Sequence, residues 1–425
     1  MQQTITQSEK NELNEVPIIG IDINNENAVV SYYMPGMDEP ETISTVAGEE
    51  KYLIPALLYR EVQEEMWLFG HRASKASKEG IGLSYRNLLD QAYKNETIPL
   101  AGNEMESWEM LGIFFERILY LPKMQGVDVE HAQVVLTVQK LNMERSEVLK
   151  KAMEKAGVSR KRLVLTDYME CFYAFTFHQT EDRRLHDVVL YQYDGSKLKQ
   201  GYLTKNVNTI PRTVEIEKKE FYELASLRTN EEKDAAFTKL LHYELDGRNI
   251  STIYLVGEGF ETGFMNQSLE VLCHNRKVYL GKNLFSTGAC YYELLKREEW
   301  PYIYIGDSSM KMNLAIEARI RGKQELITLV NAGDNCYSTY CACDILLGDE
   351  PFIDIYQQNP DGSGEKITSL ELANLPKRPP RATKVHMEIR PTSGSSVNVM
   401  IEDKGLGEMY PASGKKWKYQ LACEG

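Results

Sequence analysis

Two stretches of this chain carry residues that could handle phosphate. "VVLYQYDGSKLKQGYL", Val188 to Leu203, reads as strand, tight turn and strand, with Asp194-Gly195 at the bend. Many nucleotide-binding chains place a glycine-rich turn in such a hairpin, behind an acidic residue that helps to hold magnesium. Here Gln192 and a single glycine, Gly195, stand in those places. A glutamine is a poor partner for a hard, hydrated cation, and one glycine turns few backbone amides toward an anion. "VPIIGIDINNENAVVSYYM" is a second strand-turn-strand unit, with Asp22 just before a polar turn from Asn24 to Asn27. "GEGFETG" comes close to a dinucleotide fingerprint, but its third glycine, Gly263, falls one residue late. Cys336, Cys341 and Cys343 are spaced C-x4-C-x-C in a β-like stretch without a nearby histidine. That pattern suits buried thiols better than zinc, and no metal site follows from it.

The elements that must position these residues alternate between strand and helix. "SWEMLGIFFERILYL" has apolar residues at helical spacing (Trp108, Leu111, Phe115, Ile118, Leu119), a helix expected to end at Pro122. "AQVVLTVQ" reads as a buried strand, and "MERSEVLKKAMEKAG" as a helix closed by Gly157. "RLVLTDYMECFYAFTFHQ" is a short strand running into a helix, and a charged helical region from Glu215 to Leu245 precedes "STIYLVGEGFETGF". Such alternation argues for an α/β sheet with helices on its faces. Near Trp300-Pro301 the character changes to short alternating strands, among them "LAIEARI", "ELITLV", "FIDIYQQ" and "SVNVMIED". Turn signals such as "NPDGSG" and "PTSG" separate them, the pattern of an all-β sandwich. Two domains are therefore expected, 1–300 and 301–425.

A net charge of -13 argues against broad nucleic-acid binding and against an anionic membrane surface. The N-terminal "MQQTITQSEKNELNE" lacks the apolar core of a secretory signal, and no segment has the ~18 consecutive apolar residues of a membrane span. Seven scattered cysteines without a scaffold pattern favour a reducing compartment, the cytoplasm.

The order of these pieces resembles the DnaK-like, seventy-kilodalton heat-shock chaperone family, whose ATPase domain has the actin fold. "IIGIDINNENAVV" looks like that family's first phosphate loop, and "VLTDYMECFYAFTF" like the segment it writes N-E-P-T-A-A-A. "IYLVGEGFETGF" resembles its adenosine loop, L-V-G-G-S-T-R-I-P. "NLAIEARIRGKQELI" fits the first hairpin of its peptide-binding sandwich, and "KVHMEIRPTSGSSVNVMIEDKGLGE" its later strands. The resemblance implies an α/β actin-like ATPase fold of two lobes followed by an all-β sandwich. The chain stops where the family's helical lid would begin, so a lid-less member is expected. "PYIYIGD" stands where the family has its apolar linker, which would make Tyr302 to Asp307 a hinge open to proteases.

The departures from the family's pattern fall on its chemistry. Asp22 matches its aspartate, while its glycine and two hydroxyl residues become Asn24, Asn25 and Glu26. A carboxylate facing phosphate oxygens about 4 Å away costs on the order of 4 kcal/mol at an effective dielectric near 20. The hairpin around Asp194 and Gly195 aligns with the second phosphate loop, D-L-G-G-G-T, with Gln192 in place of the aspartate. Asp167 matches the catalytic glutamate with a shorter arm, and Arg86 stands for the catalytic lysine in a loose alignment. Gly257 and Gly259 keep room for close backbone approach on the adenine side, but only 211–250 fills the interval where the family has a long helical subdomain.

No cofactor follows from the residues themselves; the resemblance implies ATP or ADP with magnesium, at nucleotide-binding positions Asn24, Asn25, Asp194, Gly195, Gly257 and Gly259. Asp22, Asp167 and Arg86 are vestigial catalytic candidates. In the sandwich the resemblance implies an extended polypeptide ligand over Ile316, Ala318, Arg319, Ile320 and Phe352. Arg319 replaces a hydrophobic arch residue, which favours acidic or polar segments. The leading expectation is a chaperone-like binding protein without efficient hydrolysis. A working ATPase chaperone and an actin-fold scaffold or assembly protein are the alternatives, and fold alone does not choose among them.

Overall fold

A computed structural model describes residues 15–61, 66–80, 82–100, 103–298 and 300–423. All but the last residue of the polar N-terminal segment lies outside the described residues. The described chain divides into two compact units, one of 15–205 with 214–300 and the other of 206–213 with 301–423.

The larger unit runs through one arrangement twice. The first set is β1 (Ile18–Ile23), β2 (Asn27–Tyr33), β3 (Glu41–Thr42), α1 (Ser107–Met124), β4 (Gln133–Val138), α2 (Met143–Lys155), β5 (Leu163–Asp167) and α3 (Tyr168–His178). The second is β6 (Asp187–Tyr193), β7 (Leu198–Asn206), β8 (Arg212–Phe221), α4 (Asn230–Leu245), β9 (Ile250–Val256), α5 (Gln267–Cys273), β10 (Lys277–Leu280) and α6 (Leu284–Arg297). Sheet order is β5-β4-β1-β2-β3 in the first and β10-β9-β6-β7-β8 in the second. In each, an antiparallel hairpin is extended by two parallel strands. Between β3 and α1 the first set carries an insertion with helices Gly70–Glu79 and Leu88–Tyr93.

Strands β1, β4 and β9 are nearly continuous apolar runs, as expected where helices cover both faces of a sheet. On α1, Met110, Leu111, Phe114, Phe115, Ile118 and Leu119 are buried at helical spacing. This helix does not stop at Pro122; it runs on to Met124, with Pro122 itself buried in the last turn. The charged segment from Glu215 to Leu245 is not one helix either. Val214 is buried and Ile216 half-buried in a period-2 pattern, so 212–221 is a strand, and the only α-helix between 211 and 250 is α4. That helix starts at Thr229 through a capping box with Glu232.

The smaller unit holds two four-stranded antiparallel sheets. Their strands are β11 (Asn313–Ile320), β12 (Lys323–Val330), β13 (Cys341–Leu346), β14 (Phe352–Gln358), β15 (Glu365–Glu371), β16 (Lys384–Ser393), β17 (Ser396–Gly405) and β18 (Lys416–Ala422). The orders are β12-β11-β14-β15 and β13-β16-β17-β18. Alternating residues such as Leu314, Ile316, Ile355, Val385, Ile389, Val399 and Ile401 make one core. Beside it the Arg378 guanidinium holds the fully buried Asp403 carboxylate through two bonds of 2.8 Å, and the Gly405 and Ser413 amides donate to the same carboxylate. Those donors, Arg378 first, hold the Asp403 carboxyl well below the usual range.

The segment read as a free linker is structured. Tyr302–Tyr304 is a strand, the Arg212 amide donates to the Pro301 carbonyl, and the Arg212 guanidinium lies 5.6 Å from the Tyr302 ring centre. Among the described residues no helix is long and apolar enough to cross a membrane. Cys336 is buried and Cys341 and Cys343 are half-buried, all as free thiols, and no metal-binding group forms among the described residues.

Candidate functional site

The two hairpins of the larger unit bring their turns to one cleft of about 740 Å³. Asp22, Asn24 and Glu26 come from the β1–β2 hairpin, and Gln192 and Asp194 from the β6–β7 hairpin. Gly257, Glu258 and Glu261 follow β9, and Tyr168 and Phe285 open α3 and α6. Six carboxyl groups line the cleft (Asp22, Glu26, Glu50, Asp194, Glu258, Glu261) against two lysines, Lys51 and Lys282.

Asp22 accepts a hydrogen bond of 2.7 Å from the Tyr168 hydroxyl. Burial pushes its carboxyl up to about 7, and the Tyr168 bond pulls the other way. Near neutral pH it therefore carries only part of a charge, a weak anchor for magnesium. The Tyr168 phenol is itself pushed well above its ordinary value, by burial first and then by Asp22. Its ring stacks on Phe285 with centroids 3.9 Å apart and planes 9° from parallel.

Both turns are closed by their own side chains. Asn24 Oδ1 accepts the amides of Glu26 and Asn27, each at 2.8 Å. Asp194 Oδ1 accepts the amides of Ser196 at 2.8 Å and Lys197 at 3.1 Å, and the Ser196 hydroxyl at 2.6 Å. Burial raises the Asp194 pKa, but these bonds outweigh it and hold the carboxyl below its ordinary value. The amides a phosphate would need thus already have an acceptor, a carboxamide oxygen in one turn and a carboxylate in the other. Gly195, at φ +91°, serves this turn geometry.

The remaining sequence candidates have other surroundings. Asn25 Oδ1 accepts the Asp90 amide at 3.0 Å, tying the first turn to helix Leu88–Tyr93. Asp167 caps α3, accepting the amides of Met169 and Glu170 while Glu170 accepts the amide of Asp167. Neither Asp167 nor the exposed Arg86 lines the cleft. Gly257 and Gly259 do permit close approach, and what approaches is Tyr193. A Cβ on Gly257 would lie 2.3 Å from the Tyr193 carbonyl oxygen, and one on Gly259 2.4 Å from the Tyr193 ring. Sequence reasoning missed Tyr168 and Phe285. Tyr168 follows Asp167 directly, where the quoted chaperone pattern has proline, and that substitution was its signal.

In the smaller unit, Ile316 is only 6% exposed and belongs to the core, so it offers nothing to a surface ligand. Ala318 is half-buried, and Arg319, Ile320 and Phe352 are exposed. Alternation puts Ile316, Ala318 and Ile320 on one face of β11 and Arg319 on the other. On β14, Ile353 and Ile355 face the core, so Phe352 shares the outer face with Tyr356, whose hydroxyl reaches Glu317 at 3.4 Å. Arg319 and Phe352 are therefore on an outer face that Ile316 and Ala318 do not share. Arg321 and Gly322, at φ +51° and +88°, make the hairpin turn. Arg319, Arg321 and Lys323 are all exposed, and none is in an ion pair among the described residues.

Fold and cleft define an α/β protein with a duplicated sheet and an acidic cleft, continued in the same chain by two four-stranded antiparallel sheets over one core. The chain belongs to the family of unknown function DUF5716, whose C-terminal model matches residues 39–307. A domain of unknown function, DUF8552, matches residues 309–423. Among curated proteins there is no match.

Proposed function

We propose that this chain is a chaperone-like binding protein built on an actin-like body, with a nucleotide cleft that no longer supports hydrolysis and a sandwich that takes extended polypeptide segments. One observation carries the reading: Asn24 and Asp194 each fill the amide cradle of their own turn. A nucleotide would have to displace both acceptors and face a lining with six carboxyl groups, while Asp22 is half neutral near pH 7. Hydrolysis depends on preorganised donors and metal-held charge, and neither is available on those terms. The repeated sheet order supports the actin-like reading, and Arg319, Arg321 and Lys323 around the β11–β12 turn, in no ion pair among the described residues, support a preference for acidic or polar segments.

Calorimetry of the full chain with ATP, with and without magnesium, tests the cleft. No saturable heat is expected up to roughly millimolar nucleotide, against the micromolar-to-millimolar affinities usual for enzymes and their substrates. Installing Gln192→Asp with Glu26→Thr should raise affinity. Robust turnover by the unaltered protein, abolished by Asp22→Ala, would sink the reading. A peptide array probed with the full chain tests the sandwich: acidic segments should bind, weakening as salt is added. Salt-insensitive selection of leucine-rich segments would overturn the charge preference alone.

A further inference from the structure

A second pocket of the larger unit shares no lining residue with the cleft. It has a volume of about 540 Å³ and is walled by 66–72, by the outer face of α1 and by the turn after α2. That volume falls within the range of small-molecule sites. Trp67, Phe69 and Tyr120 give it aromatic walls. Its charge runs against that of the molecule: among the described residues Arg72, Arg117, Lys123 and Arg162 line it, opposed by Glu116 and Glu130, in a chain of net charge -13.

The cations are set in two ways. Arg162 is fixed by backbone alone, its guanidinium donating to the carbonyls of Val129 and Ala132 at 2.9 Å and of Gly157 at 3.1 Å. No carboxylate neutralises it among the described residues. Arg117 is the more telling group. Its Nε is buried yet has no hydrogen-bond partner among the described residues. A buried cationic donor without an acceptor is costly, and native structures leave few of them. Arg72 and Lys123 are exposed at the rim, and neither is in an ion pair among the described residues. A water could satisfy one donor, but it would neutralise none of the charge.

We propose that this pocket binds a small organic anion, a carboxylate or phosphate carried on an aromatic body. Arg117 and Arg162 would hold the anionic group, which guanidinium forks suit, and the aromatic walls would take the ring.

The test uses the full chain and 1-naphthoate, with its uncharged analogue 1-naphthamide as control. Calorimetry should show saturable binding of naphthoate, at least about tenfold tighter than of the amide, because the charge-assisted bonds are lost in the latter. With ¹⁵N-labelled indoles, naphthoate should shift the signal that disappears in Trp67→Phe, one of only four tryptophans. Arg117→Met keeps the aliphatic stem and should weaken naphthoate about tenfold while leaving the amide unchanged. Should that variant fail to fold, Arg72→Gln with Lys123→Gln alters only exposed side chains and should weaken naphthoate by a smaller factor. Competition by phenyl phosphate against benzoate separates the two anionic groups, since the better competitor names the natural one. Equal affinity for naphthoate and naphthamide, undiminished binding in the variants, or no saturable binding would each overturn the proposal.

Discussion

Asp22 lies where its carboxyl gains little from water, and burial pushes its pKa up to about 7 against an ordinary 3.8. The folded chain therefore holds this proton more tightly than the unfolded chain does. By linkage, ionising Asp22 costs stability as pH rises from about 4 through about 7, and below about pH 4 that cost is absent. Asp22→Asn keeps an oxygen for the Tyr168 hydroxyl but cannot ionise. The variant should match the parent near pH 4 and exceed it at pH 8 by about 1–4 kcal/mol, the upper end corresponding to the whole shift. Urea unfolding of both proteins at the two pH values checks this; a difference that does not change with pH would mean that Asp22 is already charged in the folded state. The same half-neutral carboxyl is a weak anchor for a hard cation, so the burial that raises its pKa acts on both stability and the charge of the cleft.

At the scale of elements, the loop after β9 meets the β6–β7 hairpin through glycine. Gly257→Ala would force a Cβ to 2.3 Å from the Tyr193 carbonyl oxygen, on backbone at φ +108°. It should cost about 2 kcal/mol or more, while Gly263→Ala, at φ +70° with open space around it, should cost only about 1 kcal/mol. Thermal melts of the two variants would show this ordering, and equal melting points would mean that the loop adjusts without strain. Much at this scale was legible in sequence. Helix α1 followed from its apolar spacing, and β16 and β17 from strict alternation, with Val385, Met387 and Ile389 buried in turn. β8 was not legible, because Lys218, Lys219 and Glu220 follow its short alternation and read as the charged face of a helix. Lys219 in fact reaches Glu244 of α4 at 2.8 Å, a contact between elements that no local pattern encodes. The cleft divides in the same way. Asp22, Asn24, Gln192 and Asp194 are set by their own hairpins, whereas the Tyr168–Phe285 stack depends on α3 packing against α6.

For the molecule as a whole, the consequence of the two compact units lies in how the chain connects them. Segment 206–213 leaves the larger unit to join the one that contains 301–423, and only then does the chain return to the rest of β8. The stretch after Pro301 is thus received by a segment from an earlier part of the chain: the Arg212 amide donates to the Pro301 carbonyl at 3.3 Å. Tyr304 is 6% exposed, and a Cβ on Gly333 would lie 2.4 Å from the Ile303 side chain, so this strand is packed on both sides. Proteases need several residues of unfolded backbone, which a packed strand yields only by local opening. Chymotrypsin cuts after aromatic residues and therefore has sites at Tyr302 and Tyr304, as well as at Tyr222 and Tyr340, which lie outside helices and strands with exposures of 60% and 52%. Brief digestion of the native chain should give fragments ending at Tyr222 or Tyr340 and leave Tyr302 and Tyr304 uncut, as read by intact-mass spectrometry. Early cleavage after Tyr302 or Tyr304, with Tyr222 and Tyr340 spared, would restore the free-linker reading. Arg212→Ala, which keeps the backbone amide but removes the side chain over the Tyr302 ring, should speed cleavage at Tyr302 without changing the rate at Tyr340.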